Sequence, residues 1–138
     1  MEIKSIVVGI DGSDTSYRAF AMAVGFAQRE QGCVHACYVA HLPGAAAIGG
    51  LFAPVPLVGD TESDESLARY VTGELFLAHV GGDFTCRIGE IGIELELLAE
   101  TCKADLIVVG RSAHPHLHLG GVPRQLLGRA KFPVLVVP

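Results

Sequence analysis

The chain alternates between two hydrophobic periods. "IKSIVVGI" (3–10) is a β-branched apolar run that ends at "DGSD", which supplies turn residues and then Ser13 or Asp14 as a helix N-cap. This predicts a buried strand. From there Tyr17, Phe20, Ala21, Val24 and Ala27 recur at the spacing of one helix face, and the pattern stops near Gly32. "CVHACYVA" (33–40) predicts a second strand. Leu67, Tyr70, Val71, Leu75 and Ala78 mark a second helix, whose start is crowded with Asp60, Thr61, Ser63 and Asp64. "DFTCRI" (83–88) predicts a short third strand, and Ile91, Leu95, Leu98, Ala99 and Cys102 a third helix. "ADLIVVG" (104–110) is the most strand-like run of the chain. Val122, Leu126, Leu127 and Ala130 then form a short helical stripe before "FPVLVVP" (132–138) closes as a fifth strand.

Strands alternating with helices of this length imply right-handed crossovers and a parallel sheet covered on both faces. The near-continuous apolar strands agree, because a strand buried on both faces has no polar side to show. Open sheets of this kind bind ligands outside the carboxyl ends of their strands, where the strand order reverses. Those ends are Gly9, Ile10, Asp11 and Gly12 after the first strand, Val39 to His41 after the second, and Gly110 onward after the fourth.

Size and charge narrow the partners. A chain of 138 residues, half of them hydrophobic, fits one domain over 1–138 with one core. A net charge of -5 without a Lys/Arg-rich run argues against nucleic acid or an anionic membrane surface, both of which need clustered basic residues. The uncharged stretch "LPGAAAIGGLFAPVPLV" (42–58) is too rich in proline and glycine to satisfy its backbone as a spanning helix, and reads as a loop. Cys33, Cys37, Cys86 and Cys102 form no CxxC pair, and no signal peptide opens the chain, so a reducing cytosol is expected. Cys33 and Cys37 sit on one face of a strand but roughly 13 Å apart, too far for a bridge. All four cysteines read as small core hydrophobes.

The segments "IVVGIDGSDTSYRAF", "ETCKADLIVVG" and "RAKFPVLVVP", in this order and spacing, resemble the universal stress protein family over essentially the whole chain. The resemblance implies a three-layer α/β sandwich with a five-stranded parallel sheet of order 3-2-1-4-5, of the adenine nucleotide alpha hydrolase-like kind. It also implies a dimer, and membership of either a branch that binds ATP or one that does not. In the ATP-binding branch, Gly-x-x-Gly, nine residues, then Gly-Ser or Gly-Thr follow the fourth strand, and an aspartate after the first strand belongs to the adenosine site. Here Asp11 matches that aspartate and Gly110 the first glycine, but Ala113 stands at the second. Gly120 aligns with the glycine of Gly-Ser and Gly121 stands where the hydroxyl belongs. Only His114 to Leu119 separate Ala113 from Gly120, so the loop is about three residues short of that pattern.

Backbone N–H groups at a helix N-terminus attract phosphate, and glycines let the chain present them. Gly120, Gly121 and Val122 keep that ability. Loss of the Ser/Thr hydroxyl removes one hydrogen bond of roughly 1 to 2 kcal/mol to a charged acceptor, and Pro123 removes a donor in the first turn. Ala113 intrudes with a Cβ wherever φ > 0 or close approach is needed. Arg111 and Arg124 flank the glycines and either supply charge to a phosphate or are solvated surface residues. Asp11 either contacts adenosine or is a turn residue held by Ser13 and nearby N–H groups.

His114, His116 and His118 share a face if their segment is extended, and imidazole suits zinc, copper or nickel, but no fourth ligand can be placed. No nucleophile elbow, HExxH or Walker lysine is present, so ATP hydrolysis is expected to be slow if it occurs. Three readings stay open. The first is a cytosolic module of the stress response that binds ATP, with magnesium, or another adenine nucleotide through a degenerate phosphate loop. The second is a nucleotide-free dimeric interaction protein of the same fold, and the third a slow ATP hydrolase or a metal-dependent enzyme built on the loop histidines. The apolar strand 133–137, expected at a sheet edge, is the expected homodimer contact.

Overall fold

The computed structural model describes residues 1–40, 61–111, 122–129 and 131–138. Along the chain run β1 (Ser5–Gly9), α1 (Asp14–Glu30), β2 (Cys33–Ala40), α2 (Thr61–Ala78), β3 (Gly81–Ile88), α3 (Ile91–Cys102), β4 (Leu106–Gly110), α4 (Val122–Arg129) and β5 (Val134–Val137). The five strands form one sheet of order β3-β2-β1-β4-β5, and every pairing in it is parallel. The strand order reverses at β1, between β2 and β4. The expected architecture is therefore present, with boundaries shifted by one or two residues.

Alternation along each strand divides the apolar side chains between two layers. Ile6, Val8, Val34, Ala36, Leu106 and Val108 face α1 and α2, where they bury Phe20, Ala23, Leu67 and Val71. Val7, Cys37, Val39, Ile107 and Val109 face the other way, onto Leu95, Leu98 and Ala99 of α3 and Leu126 of α4. Tyr70 of α2 meets the ring of Tyr17 edge-on at 4.8 Å and that of Phe20 at 5.8 Å, which joins the two helices of the first layer. Edge-to-face pairs of this kind add about 0.5–1.5 kcal/mol beyond the area they bury.

Three expected core positions are corrected. Ala21 is exposed, and the buried face of α1 is instead Ser16, Ala19, Phe20, Ala23 and Ala27. Leu127 is exposed because α4, only one face of which meets the sheet, buries Leu126. Cys86 is exposed on the edge strand β3, so it is no core hydrophobe; Cys33 and Cys102 are half-buried and only Cys37 is buried. All four cysteines are free thiols, and Cys33 and Cys37 are unbridged as their spacing along one strand predicts. Among the described residues no helix is long and apolar enough to cross a membrane, and the 42–58 stretch lies outside them.

Candidate functional site

The site is built where β1 hands over to α1. Ser13 is the N-cap of α1, in extended conformation, and its hydroxyl accepts from the N–H of Ser16 at 3.3 Å. A cap of this kind stabilises a helix by about 1 kcal/mol. Asp11 lies just upstream, and its Oδ1 accepts from the N–H of Ser13 at 2.9 Å. The N–H of Asp11 donates to the Ser16 hydroxyl at 3.2 Å, and that hydroxyl donates onward to the Ser13 carbonyl at 2.8 Å. Gly12 makes the turn between them with φ of 87°.

This network fixes the charge of Asp11. Partial burial pushes its carboxyl up, but hydrogen bonds from the side chain and backbone of Ser13, and from Ser16, outweigh that and hold it below the usual carboxylate range. The group is an anion at neutral pH. A folded-state value below the unfolded one means that the stabilisation is complete above the ordinary carboxylate range and is lost as pH falls through the lowered value. An ionised carboxylate only accepts hydrogen bonds, and the Ser13 N–H uses one of about four lone-pair positions. What remains suits a hydroxyl or amino donor and repels a phosphate.

β4 ends beside the same turn. A Cβ on Gly110 would lie 2.6 Å from the carbonyl carbon of Thr15, 2.7 Å from its oxygen and 2.8 Å from the Ser16 nitrogen. The first turn of α1 therefore rests directly on the backbone of Gly110. The Thr15 hydroxyl donates to the Arg111 carbonyl at 2.8 Å, and the Arg111 N–H donates to the Val137 carbonyl at 2.7 Å. These bonds tie β4, β5 and the start of α1 into one corner. The Arg111 side chain is exposed there.

The remaining expected site residues divide cleanly. Gly9 packs against Leu95, with room for a Cβ only at 3.2 Å from its Cδ1. Ile10 is buried in the α1 layer and Val39 in the α3 layer, so each reaches the carboxyl edge through its backbone alone. The Ile10 N–H is already bonded to the Cys37 carbonyl. Val122 opens α4. His41, Ala113, His114, His116, His118, Gly120 and Gly121 lie outside the described residues. Among the described residues no group of three or more His, Cys, Asp or Glu side chains is placed to hold a metal.

Thr15 and Ser16 were not legible as site residues. Their spacing after Asp11 is visible in "DGSDTS", and the bond between Ser16 and the Asp11 N–H spans only five residues, but Thr15 meets the Arg111 carbonyl only once β4 lies beside β1. A small hydroxyl at the third helical position is the one local sign.

The profile described as "Universal stress protein family" matches residues 2–138. A solved universal stress protein in complex with cAMP is 28% identical, with a TM-score of 0.70, covering 99% of this chain and 98% of that one. A universal stress family protein from Burkholderia pseudomallei is 22% identical with a TM-score of 0.75 over 99% and 97% of the two chains. The universal stress protein from Archaeoglobus fulgidus in complex with dAMP is 22% identical with a TM-score of 0.66, covering both chains in full. No curated protein sequence matches the chain.

Proposed function

The chain belongs to the universal stress protein family, and from that premise we propose that it binds an adenine nucleotide across the carboxyl ends of β1 and β4. The observation that carries the reading is Asp11, held ionised by Ser13 and Ser16 at the point where the strand order reverses. As a fixed acceptor it takes a ribose hydroxyl or the adenine amino group. The phosphates then extend past Gly110 and Arg111 toward the start of α4, where Gly120, Gly121 and the N–H groups of the first turn supply the cradle, with magnesium accompanying ATP. The structures solved with cAMP and dAMP support an adenine nucleotide as the ligand class.

Calorimetric titration with ATP and magnesium, AMP and cAMP tests this. Heat and thermal stabilisation are expected with at least one of the three. Asp11→Ala is expected to weaken binding about 10- to 100-fold, the equivalent of one hydrogen bond to a charged group at about 1.5–3 kcal/mol. Silence with all three nucleotides at millimolar concentration would turn the reading to a nucleotide-free interaction protein.

The same reading makes the protein a homodimer through β5. That strand is an edge of the sheet, its sequence is wholly apolar, and Val136 is 36% exposed on it. An apolar edge of this kind favours pairing with a second copy. Light scattering at micromolar concentration is expected to give a dimer mass, and Val136→Lys a monomer. A monomeric native chain removes this part of the proposal.

A further inference from the structure

The opposite end of β2 carries an arrangement that nucleotide binding leaves unused. Cys33, the first residue of β2, has its Sγ 3.4 Å from Nε2 of His35. Nδ1 of the same ring lies 3.1 Å from Oδ1 of Asp83 on β3. The parallel register pairs His35 directly with Asp83, and Cys33 and His35, two residues apart, point to the same face. Thiol, imidazole and carboxylate are thus joined in line at the amino end of the sheet. Across β2 this is roughly 23 Å from the Ala40 end, at about 3.3 Å per residue.

The proton positions follow from the donor inventory. A carboxylate only accepts, so Nδ1 carries the hydrogen that points at Asp83. In the neutral ring this leaves the lone pair of Nε2 facing the Cys33 thiol. The Lys4 carbonyl lies 3.5 Å from the same Sγ, so two acceptors compete for the thiol proton. Only the imidazole can remove it. The His35 side chain is 17% exposed and that of Asp83 60%, so the line runs from half-buried to open and a small reagent has access.

We propose that Cys33, with His35 as general base and Asp83 orienting the ring, is a nucleophilic thiol that is oxidised by hydroperoxides. The thiol proton passes to Nε2 and the thiolate attacks one peroxide oxygen. The S–O bond forms as the O–O bond breaks, and the departing hydroxide takes the proton back from Nε2. For hydrogen peroxide the products are Cys33 sulfenic acid and water. Sulfur loses the two electrons that the peroxide gains.

The other thiols set a contrast within one molecule. Burial pushes Cys37 up to about 12, and burial together with the hydrogen bond and charge of Asp64 holds Cys86 up at about 11. Cys102, at the end of α3, is raised by burial and then by the charges of Asp83 and Cys33. Exposure alone favours Cys86, which is the exposed thiol among the four. The proposal favours Cys33.

Brief treatment of the intact protein with hydrogen peroxide and dimedone, followed by peptide mass spectrometry, separates the two. Cys33 is expected to carry the adduct about tenfold ahead of Cys86. His35→Ala is expected to slow Cys33 by about tenfold or more, and added imidazole to restore part of the rate. Asp83→Asn should slow it less, with Asp83→Glu recovering the loss. An unlabelled Cys37 reports that each variant is folded. Labelling of Cys86 before Cys33, or a Cys33 rate unchanged in a folded His35→Ala, overturns the proposal. If His35→Ala does not fold, the order of labelling in the native chain decides alone.

Discussion

Gly110→Ala is expected to lower stability by about 2–4 kcal/mol, because the added methyl meets backbone rather than a side chain that could turn away. The new Cβ would stand 2.6 to 2.8 Å from the carbonyl carbon and oxygen of Thr15 and the nitrogen of Ser16, so helix α1 or strand β4 has to move as a body. For a domain of this size the loss corresponds to a fall in Tm of roughly 10 °C, measurable by calorimetry. The same shift draws Ser13 and Ser16 away from Asp11, so nucleotide affinity should fall by at least the amount expected for Asp11→Ala. A Tm within a degree or two of the native value would mean that α1 does not rest on β4 as described. The experiment also separates two roles of this glycine. Its place at the head of a phosphate motif suggests a ligand contact, whereas the backbone of α1 already occupies the space its missing side chain leaves.

The second large effect concerns Glu96, a buried carboxylate on α3 that Arg129 of α4 contacts at 2.5 Å. One of its oxygens, Oε1, is buried without a hydrogen-bond partner. Removing the cation therefore leaves a charge with neither water nor counter-ion. Arg129→Met is expected to cost about 1–3 kcal/mol, below the 3–5 of a fully buried pair because Arg129 is itself 45% exposed and partly screened. Glu96→Leu should be close to neutral or stabilising, since it removes the buried charge together with its unpartnered oxygen and frees Arg129 to water. Denaturant midpoints of the two variants check the asymmetry, and equal losses from both would contradict it. The pair matters beyond stability because α4 begins at Val122, beside the glycines of the expected phosphate cradle. Arg129 is the anchor at the far end of that helix.

How much of this was legible in the sequence depends on the range over which each signal acts. The strands and helices were legible because burial on both faces leaves β-branched runs, and burial of one face leaves a 3.6 period. Ser13 was legible as a cap because capping is local. Ala21 and Leu127 were misplaced because a stripe of small or apolar residues does not reveal which edge of it meets the sheet. The site was legible only in part. Asp11 and Gly110 stand at strand ends, where an open parallel sheet binds its ligands, but the bond from Thr15 to Arg111 spans 96 residues and depends on β4 lying next to β1. The line from Cys33 to Asp83 was hidden for the same reason. His35 shows no ligand spacing in the sequence, and its partner is supplied by the register of β2 against β3.

That register has its own guard. Gly82 lies opposite Val34 so closely that a Cβ there would stand 1.9 Å from the Val34 carbonyl oxygen. Sliding β3 back by one residue would set Asp83 in that place and turn its carboxylate to the other face of the sheet. On the backbone as it stands, a side chain in that place would meet the Val34 carbonyl, so the slipped alignment would require β3 to change its path there. The position opposite Val34 therefore suits a glycine, and with glycine there the alignment delivers the Asp83 carboxylate to His35 through an absent atom rather than an attractive one.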